Sequence, residues 1–214
     1  MIKLSKTSKL DGILSWSLQA IDTCPGSSDG MGGLVDACKG CYATTGNYNF
    51  PNVKAPRLFN REDWHRDDWI DDMVKALDSS RYFRWFDSGD MYTMELASKI
   101  AFVMEATPWV KHWLPTRMHK FDKFKPVIER MNALDNVSLR LSSDSVTGEV
   151  IEGLNTSTIF SDTLPVGAKE CQAYQHEGKC NGCRACYDKS VSVIAYKAHG
   201  IKMAKVIKIL AVKG

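Results

Sequence analysis

The stretch "RYFRWFDSGDMYTMELASKIAFVMEATPWVKHWLPTRM", residues 81–118, decides the fold class. It opens on an aromatic run (81–87) of the residue types that fit a pleated, half-buried strand. The turn Ser88-Gly89-Asp90 ends that run. From Thr93 to Ala106, residues Leu96, Ile100, Val103 and Met104 recur at helical spacing, the stripe of a helix with one buried face. A second apolar run (110–115) follows. Strand, helix, strand in this order is a βαβ unit, which requires parallel strands and a crossover lying over the sheet.

The same unit recurs outward along the chain. "GILSWSL" (12–18), "NVSLRLS" (136–142), "TSTIFS" (156–161) and "SVSVIAY" (190–196) read as further strands. Trp69, Ile70, Met73, Val74 and Leu77 mark one helix, and Phe124, Val127, Ile128 and Met131 another, with Pro126 tolerated in its first turn. The segment between the first strand and residue 69 reads as a long Gly- and Cys-rich loop. Eight βα units usually need about 250 residues, and this chain has 214. A single α/β domain over 1–214 is therefore expected, built as a partial (β/α)6 barrel-like parallel sheet. An open doubly wound sheet is the alternative.

In either architecture, functional residues gather beyond the carboxyl ends of the strands. Cys24 follows the first strand, Asp87-Ser88-Gly89-Asp90 the second, Thr116-Arg117 the third, Ser142-Ser143-Asp144 the fourth and Ser161-Asp162 the fifth. All seven cysteines are expected to share one rim with Asp87, Asp90, Arg117, Asp144 and Asp162. Asp90, Arg117 and Asp144 are the candidate catalytic residues. Each acid has a plainer reading as a helix cap, and Arg117 as an anchor for a neighbouring carboxylate. His112, inside an apolar strand, reads as a core residue. Trp64, Trp69, Trp85, Trp109 and Trp113 read as packing.

Composition excludes several function classes. With 28 Lys+Arg against 25 Asp+Glu the net charge is +3, which is no nucleic-acid footprint. The lysines from Lys197 to Lys213 read as a solvated helical face. The start lacks the apolar core of a secretory signal, and no apolar run is long enough to cross a bilayer. Reduced thiols are thus expected, and seven cysteines at short spacings point to metal rather than disulfides.

Two cysteine loops result, 24–41 and 171–186. Cys180, Cys183 and Cys186 form C-x2-C-x2-C, a cadence that wraps a 4Fe–4S cubane with each sulfur on a different iron, and Cys171 completes four thiolates. Zinc is the alternative metal, although its sites typically answer one C-x2-C pair with a distant second. Inert buried thiols are the plainest reading, but the intervening "QHEGK" and "NG" are too polar for a core. Cys24, Cys38 and Cys41 provide three thiolates and suggest a second, open site. A rival partition gives Cys24 to the C-terminal triplet, leaving one cluster and three spare thiols.

The segments "SWSLQAIDTCPG", "CKGCYATTGNYNFPNVKAPR", "YFRWFDSGDMY", "KHWLPTRMHKF", "LRLSSDSVTGEV" and "GKCNGCRACYDK" resemble the phage gene product 88 family. That resemblance implies a viral origin and expression in the host bacterial cytoplasm, with virion association as an alternative. A more distant similarity is to radical S-adenosylmethionine enzymes, which place a three-cysteine 4Fe–4S site after the first strand of a partial barrel. It implies that Cys24, Cys38 and Cys41 hold such a cluster in a C-x13-C-x2-C spacing, and that Ser88, Gly89 and Asp90 hold S-adenosylmethionine. The four later cysteines would then carry an auxiliary cluster. Three readings follow: a redox or radical enzyme acting on a small molecule, a non-catalytic iron–sulfur protein contacting phage or host proteins, and a zinc-stabilised binding module.

Overall fold

The computed structural model describes residues 2–213. Its centre is an open eight-stranded sheet in the order β1-β2-β3-β4-β5-β6-β8-β7. The strands are β1 (Ser5–Thr7), β2 (Ile13–Trp16), β3 (Tyr82–Trp85), β4 (Lys111–Thr116), β5 (Val137–Ser142), β6 (Thr156–Phe160), β7 (Lys169–Glu170) and β8 (Val193–Lys197). Only β1 runs antiparallel, as the first arm of a hairpin with β2. The six expected strands are β2, β3, β4, β5, β6 and β8, parallel and side by side in chain order. That order contains no reversal among the six, so the doubly wound alternative is set aside. The edge strands β1 and β7 are short and have no clear strand signal in the sequence.

The helices are α1 (Asp36–Lys39), α2 (Pro51–Asp63), α3 (Trp69–Ala76), α4 (Met94–Ala106), α5 (Lys125–Ala133) and α6 (Ile201–Lys213). Thr93 caps α4 by accepting from the Leu96 N–H at 3.1 Å, and Pro126 lies in the first turn of α5 as expected. Helix α2 falls in the segment read as loop. Its buried residues are Arg57 and Asn60 while Leu58 and Phe59 are exposed, and Pro56 lies inside it, so the apolar stripe that signals a helix is absent. Polar anchoring replaces apolar burial there. The Asn60 side-chain amide donates to the carbonyls of Lys3 and Ser17, each at 3.1 Å.

Strand alternation gives the sheet two unlike faces. Trp16, Phe83, Trp85, Leu114, Val137, Leu139 and Leu141 join Trp69 and Met73 of α3, Leu96 to Met104 of α4 and Val127 to Met131 of α5 in one core. The opposite face presents Arg84, Trp113, Ser138 and Arg140, all buried. A smaller cluster covers it, with Leu10, Trp113 and Tyr187 packed beside Cys180 and Cys186. Trp64, Trp69 and Trp85 are packing residues as expected, but Trp109 is 48% exposed beside the turn that starts β4.

His112 is fully buried between Trp85 and Thr107. The Trp85 indole N–H donates to its Nδ1 at 3.2 Å, and Nε2 lies 2.9 Å from Thr107 Oγ1. Burial lowers its pKa to about 3. The folded chain therefore keeps the ring neutral while the unfolded chain protonates below the ordinary value of about 6.5. This stability is present above that value and is lost as pH falls toward 3. Between pH 7.5 and 4.5 the wild type is expected to lose about 2–3 kcal/mol of unfolding free energy through this group. His112→Gln should lack that part of the pH dependence in denaturant titrations at the two pH values.

Candidate functional site

Beyond the carboxyl ends of β2, β3 and β4 the chain builds a compact polar rim. After β2 the backbone turns at Ile21, whose φ of 71° is left-handed, and the Cys24 N–H donates to the Ile21 carbonyl at 3.0 Å. The 24–41 segment then doubles back on itself. Asp29 accepts from the N–H groups of Met31 and Gly33 at 2.8 Å, and the Val35 N–H reaches the Ser27 carbonyl at 2.9 Å. This closed turn absorbs the long gap between Cys24 and Cys38 and returns α1 to the start of the loop. Cys41 follows at once, its N–H donating to the Cys38 carbonyl at 3.1 Å.

Asp90 joins three strand ends. Its N–H donates to the Thr23 carbonyl at 3.0 Å, beside Cys24. Its Oδ1 accepts from Thr116 Oγ1 and from the Met91 N–H, and its Oδ2 from the Arg117 N–H, each at 2.8 Å. Burial pushes its pKa up to about 6 against these donors. Asp90 is thus a joint between β3 and β4 rather than the cap of α4, a role Thr93 fills.

Arg117 carries the rim onward. Its Nε lies 3.2 Å from Asp144 Oδ1, and its second guanidinium nitrogen donates to the Ser143 carbonyl at 2.7 Å. Lys120 was not singled out in the sequence, yet its ammonium reaches Asp144 Oδ2 at 2.7 Å and the carbonyls of Gly26 and Ser28 at 3.1 Å. It bolts the cysteine loop to the strand ends. The Asp144 carbonyl accepts from the Ala37 N–H at 2.9 Å, fixing α1. His119 shares the turn between Arg117 and Lys120, and its Nδ1 is buried without a partner.

The thiols of this loop lie within one another's fields. Burial pushes the Cys24 pKa up to about 12, with the charges of Asp90, Cys38 and Cys41 adding to it. Burial also raises Cys38, where Arg117 and Lys120 oppose the effect of Cys41 and Asp144. Cys24, Cys38, Cys41, Asp90, Arg117 and Asp144 therefore occupy one end of the sheet. Asp162 does not join them: it is exposed and accepts from its neighbour Ser161 Oγ at 2.9 Å.

Beneath Cys41 lies a buried pair. Arg57 donates to Asp87 Oδ2 at 2.8 Å and to Ser88 Oγ at 2.7 Å, and Ser88 Oγ donates to the Leu18 carbonyl at 2.7 Å. The Tyr42 hydroxyl donates to the Asp87 carbonyl at 2.7 Å. Gly89 has a φ of 83°, and a Cβ there would stand 2.6 Å from that of Leu18, so this turn demands glycine. Arg57 lay outside the sequence reading because no apolar pattern marked α2.

The four remaining cysteines occupy a different place, which corrects the expectation of a single rim. The Cys180 N–H donates to the Lys9 carbonyl at 2.8 Å, and Asp11 Oδ2 accepts from the Gly182 N–H at 3.0 Å and from Arg184 at 2.8 Å. Lys9 and Asp11 belong to the β1–β2 turn, so the loop lies against the amino end of β2 and the adjoining inner face. Sequence order placed it after β6, but the loop is long enough to cross beneath the sheet before β8. Arg140, fully buried, holds it by donating to the carbonyls of Ala185, Cys186, Asp188 and Val191 at 2.8–3.1 Å. Asn181 and Gly182, with φ of 46° and 80°, make the tight turn between Cys180 and Cys183. Burial raises Cys180 to about 11, with Lys9 opposing and Cys171, Cys186 and Cys183 adding. Cys186 is raised by burial too and lies 3.7 Å from the Tyr196 hydroxyl.

Among the described residues, no three His, Cys, Asp or Glu side chains converge on the position of a single metal ion. All seven cysteines are free thiols. No helix among the described residues is long and apolar enough to cross a membrane.

A family model described as gene product 88 matches residues 1–207. The chain belongs to this family of phage gene products. No curated protein and no solved structure matches it.

Gly26 tests how tightly the first cysteine loop is pressed to the rim. A Cβ at this position would stand 2.5 Å from Arg117 Cβ and 2.7 Å from its carbonyl oxygen. Gly26→Ala should cost about 1–3 kcal/mol in denaturant unfolding, the usual range for overpacking. An unchanged midpoint would show that the loop is not held in this position.

Proposed function

We propose that the chain is an iron–sulfur protein with two centres, one closed and one open. Cys171, Cys180, Cys183 and Cys186 would hold a 4Fe–4S cluster with a thiolate for every iron. Cys24, Cys38 and Cys41 would hold a second with one iron position left to another ligand. The observation that carries this reading is the division of the thiols: each group shares a field, and the two lie at different ends of the sheet. It favours four plus three over the partition that joins Cys24 to the C-terminal triplet.

The residues present fit such a group. The left-handed residues Asn181 and Gly182 wrap the C-x2-C turn as a bulky cluster needs. The C-x2-C-x2-C cadence suits a cubane better than tetrahedral zinc, whose sites typically answer one C-x2-C pair with a distant second. Bound clusters supply one-electron transfer. The protein's part is to hold seven thiolates whose protons, retained by burial in the free chain, leave on binding. Arg117 and Lys120 place positive charge beside Cys38 and ease that loss.

The contact of Lys9 with the Tyr196 ring, 5.7 Å from ammonium to ring centre, supports a curled, partial-barrel sheet, because these residues lie near opposite sides of it. A redox or radical reaction at the open centre is the leading functional reading, on a small molecule entering beside Asp90 and Arg117. S-adenosylmethionine fits less well. Ser88 and Gly89 are committed to Leu18, and both Asp90 oxygens already accept from β4. A non-catalytic role is the second reading, favoured by the same observation that Asp90, Arg117 and Asp144 are engaged in holding the rim. Free thiols fit the reducing host bacterial cytoplasm.

Protein purified anaerobically should be brown, absorb broadly near roughly 400 nm and carry on the order of eight irons with matching sulfide per chain. The double variant Cys38→Ser/Cys41→Ser should keep about half of that iron, and so should Cys180→Ser/Cys183→Ser. Colourless protein with stoichiometric zinc and no sulfide would overturn the iron–sulfur reading.

A further inference from the structure

We infer that the inner face of the sheet is a binding site for a small anion, a carboxylate or phosphate, recognised by Arg84. Cys180 and Cys186 border this site through Trp113 and Tyr187, but the donors that define it are not thiols and the inference does not rest on the iron–sulfur reading.

Arg84 points away from the helix-covered core, since its neighbours Phe83 and Trp85 both lie in that core. It is about nine-tenths buried. Its Nε has no hydrogen-bond partner, and no carboxylate forms an ion pair with it among the described residues. The guanidinium lies 4.6 Å above the Trp113 ring, a favourable contact that uses none of its N–H groups. The charge of Asp87 reaches Arg84, but that carboxylate is paired with Arg57 and does not contact it; a buried guanidinium Nε left without an acceptor is costly.

The groups around it are also unmet. Arg84 pairs in register with Trp113, and Trp113 with Ser138, so the three stand abreast on the same face of β3, β4 and β5. The Trp113 indole nitrogen and the Ser138 hydroxyl are buried without partners. Tyr187 closes this face against Trp113, with ring centres 5.8 Å apart, and its hydroxyl is likewise unpartnered. Arg84 and Tyr187 both pack against the Trp113 ring.

Each of these groups can donate a hydrogen bond, and the strongest is a permanently charged planar fork. Donors without acceptors around a guanidinium describe a receptor for an anion. Arg140, the other buried guanidinium on this face, is ruled out as the reader because it is already engaged with four carbonyls.

The test uses the full chain, purified anaerobically, titrated calorimetrically with inorganic phosphate, pyrophosphate and succinate. One of the three should bind at one site per chain, and which one separates a phosphate from a carboxylate ligand. Arg84→Met should weaken it at least tenfold, Arg84→Lys should retain part of it, and the exposed Arg81→Met should not change it. Should Arg84→Met fail to fold, Ser138→Ala, which loses only an unpartnered hydroxyl, should still weaken binding several-fold with an unchanged melting point. Absence of binding by all three probes would overturn the inference. Equal binding by wild type and Arg84→Met would do so too, as would a lowered iron content in Arg84→Met with anion binding intact.

Discussion

A parallel sheet wound in one direction puts its crossover helices on one face, and that constraint organises the rest of this molecule. Helices α3, α4 and α5 give one face an apolar core of conventional composition. The other face receives no helix from the crossovers and must be covered by loops. Loops bring backbone carbonyls and N–H groups that must be paired when buried. Arg140 meets much of that demand alone, four carbonyls of the 185–191 segment converging on one guanidinium. The C-terminal cysteine loop is therefore not an appendage. It is the cover of the inner face, and the position of its thiols follows from the position of Arg140.

The opposite end of the sheet solves a related problem with carboxylates. Three strand ends and a doubled-back loop meet there, and Asp90 links them through its N–H and both oxygens. Asp144 takes the next position, between Arg117 and Lys120. These outer ion pairs are partly exposed, and pairs of that kind are worth little singly. Their effect is positional: Lys120 spans from Asp144 to Gly26 and Ser28, so the loop carrying Cys24 is registered against the strands. The polar rim read as catalytic equipment serves first as the frame of a cysteine loop.

Most of the sheet was legible because its strands obey simple rules. Aromatic and β-branched runs between turn residues marked all six parallel strands, and Thr93 and Pro126 fixed two helix starts. Helix α2 was invisible for a physical reason: it buries Arg57 and Asn60 and exposes Leu58 and Phe59, inverting the pattern on which periodicity depends. The rim residues Cys24, Asp90, Arg117 and Asp144 were legible from strand ends alone. The place of Cys171 to Cys186 was not, because sequence order says which strand a loop follows and not which end of the sheet it crosses. Arg84 and Arg140 were read as strand residues without remark, since nothing local distinguishes a buried arginine from an edge one.

The inner face and the two cysteine loops share an electrostatic asymmetry. Burial drives the thiols toward their neutral form, Cys24 to about 12 and Cys180 to about 11, so the free chain holds few thiolates at neutral pH. Two buried guanidiniums, Arg84 and Arg140, stand on the same inner face without a carboxylate in contact, although the charges of Asp87 and Asp188 reach them. A ligand that brings negative charge to this region, as deprotonated thiolates or as a bound anion, relieves the cost that burial puts on the Arg140 charge. Ligand binding and folding stability are then the same quantity measured twice. A chain arranged in this way is most stable when its sites are filled, which gives the C-terminal cysteine loop and the inner face it covers a common logic.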